Sequence, residues 1–354
     1  MLKLNWDRIC VMVVDDNAFM RRLLVSTLNC LGITDTLGEP DCASAIERLK
    51  MSKTDPIEAG LGEVDLILSD YLMPGVDGNL FLRWIRTGNG VPDRFVPFIM
   101  VSGAADRFVV EEARDAGVTE FLAKPYSVKS VADRILAVIN NPRQFVLVRA
   151  YFGPDRRRTN VAVAVERRRT KLSEIQVVQP DSKVRTLRED VRAIHFRPGN
   201  KLRNKLGPNA RRRPVEFDPL VIRAAEERIQ QLVGDYADWV TKYIESMMNS
   251  LAALRPGKRA QRHNRKPIAN ISRIAHELRG QSGTFDYPLI TEFGKSLYEA
   301  TMDPDTVITE DKRKLIAAHI DAIRTVFKNR IQGSGGEVGS ALLREIEQAV
   351  KRYK

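Results

Sequence analysis

Short apolar runs recur along the first 142 residues, each closed by a polar side chain and followed by a segment of helical spacing. Residues 10–14 run into Asp15, Asp16 and Asn17, after which Met20, Leu23, Leu24, Thr27 and Leu31 fall at helical intervals. Residues 66–69 run into Asp70, 98–101 into Ser102 and 120–123 into Lys124, with helical spacing over 43–49, 79–86, 107–116 and 130–139. Continuously apolar strands alternating with helices predict a doubly wound, parallel α/β sheet, with its site at the carboxyl ends of the strands. From Asp218 to Leu254 the period is helical throughout, with Val221, Ala225, Ile229, Leu232, Val233, Tyr236, Val240, Ile244 and Met247 in an amphipathic pattern behind an Asp218-Pro219 start. Further helices are expected over 267–280, 288–300, 309–330 and 339–353, and their apolar faces predict an all-α bundle. The Gly/Ser run at 333–339 reads as a flexible linker.

Charge divides the chain into three. Its 354 residues carry 57 Lys+Arg against 45 Asp+Glu, a net +12 whose first implication is nucleic acid. Residues 143–215 alone hold 20 basic and 6 acidic side chains, or +14, which leaves 37 and 39, or −2, for the rest. The expected divisions are therefore 1–142, a basic connector over 143–215, and 216–354. Within the connector, 145–148, 161–165 and 175–178 are strand-like, while the YFGPDRRR segment at 151–158 reads as a turn ending in a basic run. Arginines at 167–169 and 211–213 make two more runs, suited to phosphates or an acidic partner. No helix-turn-helix, winged-helix or zinc-finger spacing accompanies them, which ranks a linker or protein partner above DNA. A hydrophobic content of 43% argues against disorder. No apolar run approaches the roughly 20 residues of a membrane span, and the first residues are strand-like, unlike a signal peptide. Three cysteines, Cys10, Cys30 and Cys42, fit reduced thiols and a cytoplasmic location.

The polar residues at the strand ends form a chemical set. Three carboxylates, Asp15, Asp16 and Asp70, brought together repel one another unless a cation offsets them. A hard divalent ion with oxygen ligands, most simply magnesium (Mg2+), does so. Lys124 and Ser102 suit the oxygens of a phosphoryl group, and an Asp carboxylate can be its covalent acceptor. Taken singly, an Asp pair caps a helix and a Lys-Pro makes a turn; five such elements in order are hard to obtain by chance.

These segments resemble the response-regulator receiver domain, a flavodoxin-like fold, over about residues 7–142. The resemblance rests on Val13-Val14-Asp15-Asp16-Asn17, on Ser69-Asp70-Tyr71-Leu72-Met73-Pro74-Gly75-Val76-Asp77-Gly78, on Met100-Val101-Ser102-Gly103 and on Ala123-Lys124-Pro125. It implies that Asp70 is the phosphoacceptor and that Asp15, Asp16, Asp70 and the Leu72 carbonyl hold Mg2+. It also implies that Ser102 and Lys124 sense the phosphoryl group and that Phe121 is the switch aromatic, here without the hydroxyl of the commoner Tyr. Residues 51–62 look like an insertion before the strand that carries Asp70.

In the helical part, Ile271, Ile274, Leu278 and Phe285 gather on one face of a helical wheel, and His276, Arg279, Gly280 and Gly283 on the other. That geometry predicts a solvent-facing imidazole able to take a phosphoryl group, with a guanidinium for its oxygens. It resembles the histidine-phosphotransfer (HPt) domain over about residues 216–335, with His276 the candidate phosphohistidine beside Arg279 and Gly280. Asp286 stands where that family more often has Gly. The His-Glu-Leu-Arg tetrad also looks like a histidine-kinase phosphorylation box, but ATP-binding motifs do not follow, so a complete kinase domain is not expected. A surface histidine on an ordinary bundle helix is the plain alternative; His195, His263 and His319 read as incidental.

The reading is thus a non-enzymatic phosphorelay response regulator served by a sensor histidine kinase and by HPt or receiver proteins, with a homodimer also compatible. The alternative is a receiver that controls binding of nucleic acid or a protein through the basic connector or the helical part, with His276 structural.

Overall fold

The computed structural model describes residues 4–54, 63–88, 90–103, 107–156, 175–178, 191–231 and 233–353. The strand-like segments at 161–165, the arginines at 167–169 and most of the expected insertion, from 55 to 62, lie outside the described residues. The chain forms two compact units, one built on residues 1–123 and 127–229, the other on 230–354 with the three residues 124–126.

The first unit opens with the predicted alternation: β1 (Val11–Val14), α1 (Ala18–Cys30), β2 (Thr36–Glu39), α2 (Cys42–Thr54), β3 (Leu66–Asp70) and α3 (Gly78–Thr87), then β4 (Phe98–Ser102), α4 (Arg107–Ala116), β5 (Glu120–Ala123) and α5 (Val128–Asn140). All five strands are parallel in the order β2-β1-β3-β4-β5. β1, β3 and β4 are buried at every position, as a sheet covered on both faces requires. Their side chains meet Phe81, Leu82 and Ile85 of α3 and Ala113 and Ala116 of α4 in one core. Cys10 and Cys42 lie in that core, and burial pushes both thiols up to about 12, so they are inert packing groups.

The basic segment continues this unit as a second sheet. β6 (Phe145–Val148), β7 (Tyr151–Pro154), β8 (Ile175–Val178) and β9 (Ala193–Phe196) pair in the order β7-β6-β9-β8. The expected turn at 151–158 is thus corrected: its first four residues are an edge strand antiparallel to β6. An edge tolerates Pro154, which lacks a donor. Phe95, from the loop before β4, seats its ring among Phe145, Phe152 and Phe196, with centroids 5.1, 5.3 and 5.3 Å away. Two short helices, α6 (Lys201–Lys205) and α7 (Pro208–Arg212), precede α8 (Pro219–Gln231).

The second unit is helical: α9 (Val233–Ala253), α10 (Gln261–Gln281), α11 (Pro288–Thr301), α12 (Glu310–Lys328) and α13 (Gly336–Tyr353). The pattern from Asp218 to Leu254 becomes α8 and α9, on either side of residue 232, which is outside the described residues. α10 begins six residues before Pro267, which sits inside it. α10 packs against both α9 and α11. The approach to α11 is close because a Cβ on Gly294 would stand 2.9 Å from the Ala275 carbonyl oxygen. The expected linker at 333–339 is also corrected: Gly333, Gly335 and Gly336 take positive φ in a tight turn, α13 starts at Gly336, and Gly339 is buried.

Candidate functional site: a carboxylate cluster at the strand ends

The loops after β1 and β3 carry the acidic residues, and local hydrogen bonds hold each loop. Asn17 caps α1 by accepting from the Phe19 and Met20 amides at 2.9 and 3.2 Å, and its own amide donates to Asp15 Oδ1 at 2.9 Å. The turn that caps the helix therefore also orients one carboxylate. After β3 the Tyr71 amide donates to Asp70 Oδ1 at 2.9 Å and to the Val101 carbonyl at 2.8 Å, tying this loop to β4. Gly78 returns its amide to the Tyr71 carbonyl at 2.9 Å, and Asp77 caps α3 by accepting from Leu80 at 2.7 Å.

These loops bring ligand atoms of Asp15, Asp16 and Asp70 within 4.8 Å of one another. Asp15 and Asp70 are buried and Asp16 half-buried, so water cannot fully screen the three charges. The donor set is all carboxylate oxygen, which fits a hard divalent cation. Ser102 closes β4 fully buried, and the chain leaves β5 directly into Lys124, itself 8% exposed. Phe121, on β5, packs half-buried against the core. Leu72 lies in the loop after β3 with its side chain partly exposed.

His276 departs from expectation. Its side chain is only 6% exposed, because α10 has neighbours on two sides and the Tyr298 ring of α11 meets the imidazole edge-on at 5.1 Å. The single-face wheel assumed one covered face. Among the described residues Nδ1 is buried without a hydrogen-bond partner, and burial, joined by the Lys124 and then the Arg279 cation, lowers the pKa to about 4. The ring is therefore neutral at pH 7. On the adjoining face Tyr243 donates to Glu277 Oε2 at 2.8 Å and Arg273 pairs with Glu277 Oε1 at 2.5 Å, an arrangement that composition alone does not signal. Asp286 takes φ +64°, the left-handed conformation that glycine adopts at least cost. His319 is fully buried between the Leu315 carbonyl and Ser296 Oγ, a core histidine.

Residues 11–136 match the response regulator receiver domain family. Chemotaxis protein CheY of Pseudomonas aeruginosa is 30% identical over 125 residues, covering 35% of this chain and 91% of that protein. A protein-glutamate methylesterase/protein-glutamine glutaminase of Hahella chejuensis is 30% identical over 151 residues, 39% of this chain and 38% of its own length. Among solved structures, the receiver domain of a sensor histidine kinase from Pseudomonas aeruginosa, with magnesium coordinated in its active-site cleft, is 26% identical, covering 36% of this chain and 93% of that one at a TM-score of 0.30. The five-stranded parallel sheet, with carboxylates at its strand ends, is of the receiver type that the family match names. The chain belongs, through residues 11–136, to the response regulator receiver family.

Proposed function

We propose that this protein is a phosphorelay response regulator in which Asp70 accepts a phosphoryl group. The supporting observation is the convergence of Asp15, Asp16 and Asp70 within 4.8 Å at the ends of parallel strands. Asp15, Asp16, Asp70 and the Leu72 carbonyl would hold Mg2+, which when bound offsets the carboxylate repulsion and the charge on the transferred group. An Asp70 carboxylate oxygen forms the new P–O bond, and the donor's bond to phosphorus breaks with its electron pair leaving on the donor. Ser102 and Lys124 hold the phosphoryl oxygens, and Phe121 responds by rotamer alone. Acetyl phosphate with Mg2+ tests this. The parent is expected to take label and Asp70→Asn to lose it; equal labelling of both removes Asp70 from the role.

The helical unit is assigned to relay as an HPt-like bundle, with His276 as the phosphohistidine beside Arg279 and Gly280. A neutral imidazole is the nucleophilic form, which favours the role. Because the ring is 6% exposed, transfer requires that it first be uncovered. Mixing with a phosphorylated receiver should move label onto the parent and not onto His276→Gln. Kinases and HPt or receiver proteins are the partners this reading implies, in a cytoplasmic setting; among the described residues no helix is long and apolar enough to cross a membrane.

The second reading keeps His276 structural and gives the output to a binding surface. Its support is the burial of His276, together with three consecutive exposed arginines, Arg211, Arg212 and Arg213, at the end of α7. A salt-sensitive DNA shift that Arg211→Ala, Arg212→Ala and Arg213→Ala together abolish would favour it.

A further inference from the structure

The phosphoacceptor loop is held at both ends by one carboxylate of α4. Tyr71, the residue after Asp70, donates its phenol hydroxyl to Glu112 Oε2 at 2.7 Å. Asn79, in the first turn of α3 where the loop closes, donates its Nδ2 to Glu112 Oε1 at 2.8 Å. Glu112 thus spans the loop, 41 residues on from Tyr71 and 33 from Asn79. Asn79 is 4% exposed and its Oδ1 is buried with no hydrogen-bond partner. A buried amide oxygen left unsatisfied is costly, so the side chain is kept there at the expense of stability. Among the described residues, the one hydrogen bond of this side chain is to Glu112.

The consequence follows from the backbone. The Tyr71 amide that donates to Asp70 Oδ1 belongs to the residue whose hydroxyl Glu112 holds, so fixing the phenol also fixes the donor that aims the acceptor carboxylate. We propose that Glu112 is a positioning residue for phosphoryl transfer at Asp70, clamping Tyr71 and Asn79 so that the acceptor loop and α4 move as one piece. This rests on the reading of Asp70 as the acceptor. Phe121 has no hydroxyl to offer a hydrogen bond, and the Tyr71 hydroxyl supplies the link between the acceptor loop and α4.

The test is the labelling rate of the full chain with Mg2+ over a range of acetyl phosphate concentrations. A small displacement of a reacting group costs rate at saturation, so Glu112→Ala is expected to lower the saturated rate about tenfold, leaving half-saturation unchanged. Tyr71→Phe keeps the ring and removes one hydrogen bond, and is expected to cost about fivefold. Glu112→Gln keeps the side chain's shape and can still bond both partners, its Oε1 accepting from Tyr71 and its Nε2 donating to an Asn79 Oδ1 turned towards it, so it should recover most of the rate that Glu112→Ala loses. Glu112→Met fills the same space with no hydrogen bond and should stay as slow as Glu112→Ala. A general loss of packing would be repaired by Met and Gln alike. Saturated rates within twofold of the parent for Glu112→Ala and Tyr71→Phe overturn the clamp, as does a Glu112→Met variant as fast as Glu112→Gln. A parent that takes no label on Asp70 overturns both the clamp and the reading beneath it, which distinguishes the two failures.

Discussion

At the scale of single residues, Gly78 shows how narrowly the loop that follows Asp70 is built. A Cβ added there would stand 2.1 Å from the Asp70 carbonyl oxygen and 3.1 Å from the Met100 sulfur, so the loop cannot close on any larger residue without moving Asp70. Gly78→Ala should cost about 1–3 kcal/mol in urea unfolding and slow labelling of Asp70. A variant with parental stability would show that the loop relaxes freely. His276 makes a different prediction, of pH dependence. Its folded pKa of about 4 lies below the ordinary 6.5. Above pH 6.5 the ring is neutral folded and unfolded, so its contribution is fully present and flat. As pH falls from 6.5 towards 4 the unfolded chain binds the proton first, and stability drops. The difference in urea midpoint between the parent and His276→Gln should therefore narrow across that window. A difference constant from pH 7 to pH 4 would mean that the imidazole titrates normally.

At the scale of elements, α3 depends on a cation inside the core. Arg86 is 1% exposed and donates from Nε to the Gly117 carbonyl at 3.0 Å and from Nη1 to those of Arg94 and Val96, both at 2.8 Å. Its guanidinium also faces the Phe145 ring at 5.2 Å, joining α3 to the second sheet. Burial lowers its pKa to about 10, which leaves it charged at pH 7. Arg86→Ala strands buried carbonyls at about 1–3 kcal/mol each, so a loss of at least about 3 kcal/mol is expected in denaturant melts. Arg86→Lys should recover little, since an ammonium cannot fork to carbonyls in separate loops. The apolar pattern could not announce Arg86, which simply reads as the polar end of a helical period. β1, β3 and β4 were legible because central parallel strands are continuously apolar, and β5, at one edge, still carries the apolar Phe121-Leu122-Ala123, whereas β2, Thr-Leu-Gly-Glu at the other edge, carries no such run. β7 was hidden by Gly153 and Pro154, residues that signal turns yet fit an edge strand. At the site, the Asp residues, Ser102 and Lys124 stood out because strand ends are where polar residues interrupt apolar runs. Glu112, Asn79 and Tyr71 did not, since their meeting depends on tertiary packing between α3 and α4.

At the scale of the whole chain, the family match stops at residue 136 but the compact unit continues to 229. Residues after α5 are fastened back onto the earlier elements of this unit. Trp6 stacks on Phe217 with centroids 4.2 Å apart, Asn140 exchanges two 2.8 Å hydrogen bonds with the Val215 backbone, and Asn200 donates to the Ile139 carbonyl at 2.6 Å. The +14 of this segment is thus partly structural. Lys205 shows it most plainly, for its Nζ lies 2.6 Å from Asp65 Oδ2, 140 residues earlier at the foot of β3. Asp65 is 5% exposed, and burial raises its pKa against the opposing pull of Lys205 and the Cys10 amide. Removing the cation with Lys205→Met should raise that pKa further and leave a buried carboxylate without its counterion. Lys205 is about a third exposed, so solvent screens part of the pair, and the expected loss at pH 7 is about 1–3 kcal/mol, below that of a fully buried pair. The sign of the pH dependence follows. A carboxyl whose folded pKa exceeds its unfolded 3.8 destabilises the fold once it must ionise, and that penalty disappears when both states are protonated. The stability gap between parent and Lys205→Met should accordingly be widest at neutral pH and close as pH falls towards 4. A gap that stays constant, or widens in acid, would mean that Lys205 acts through packing of its methylene stem and not through the Asp65 charge.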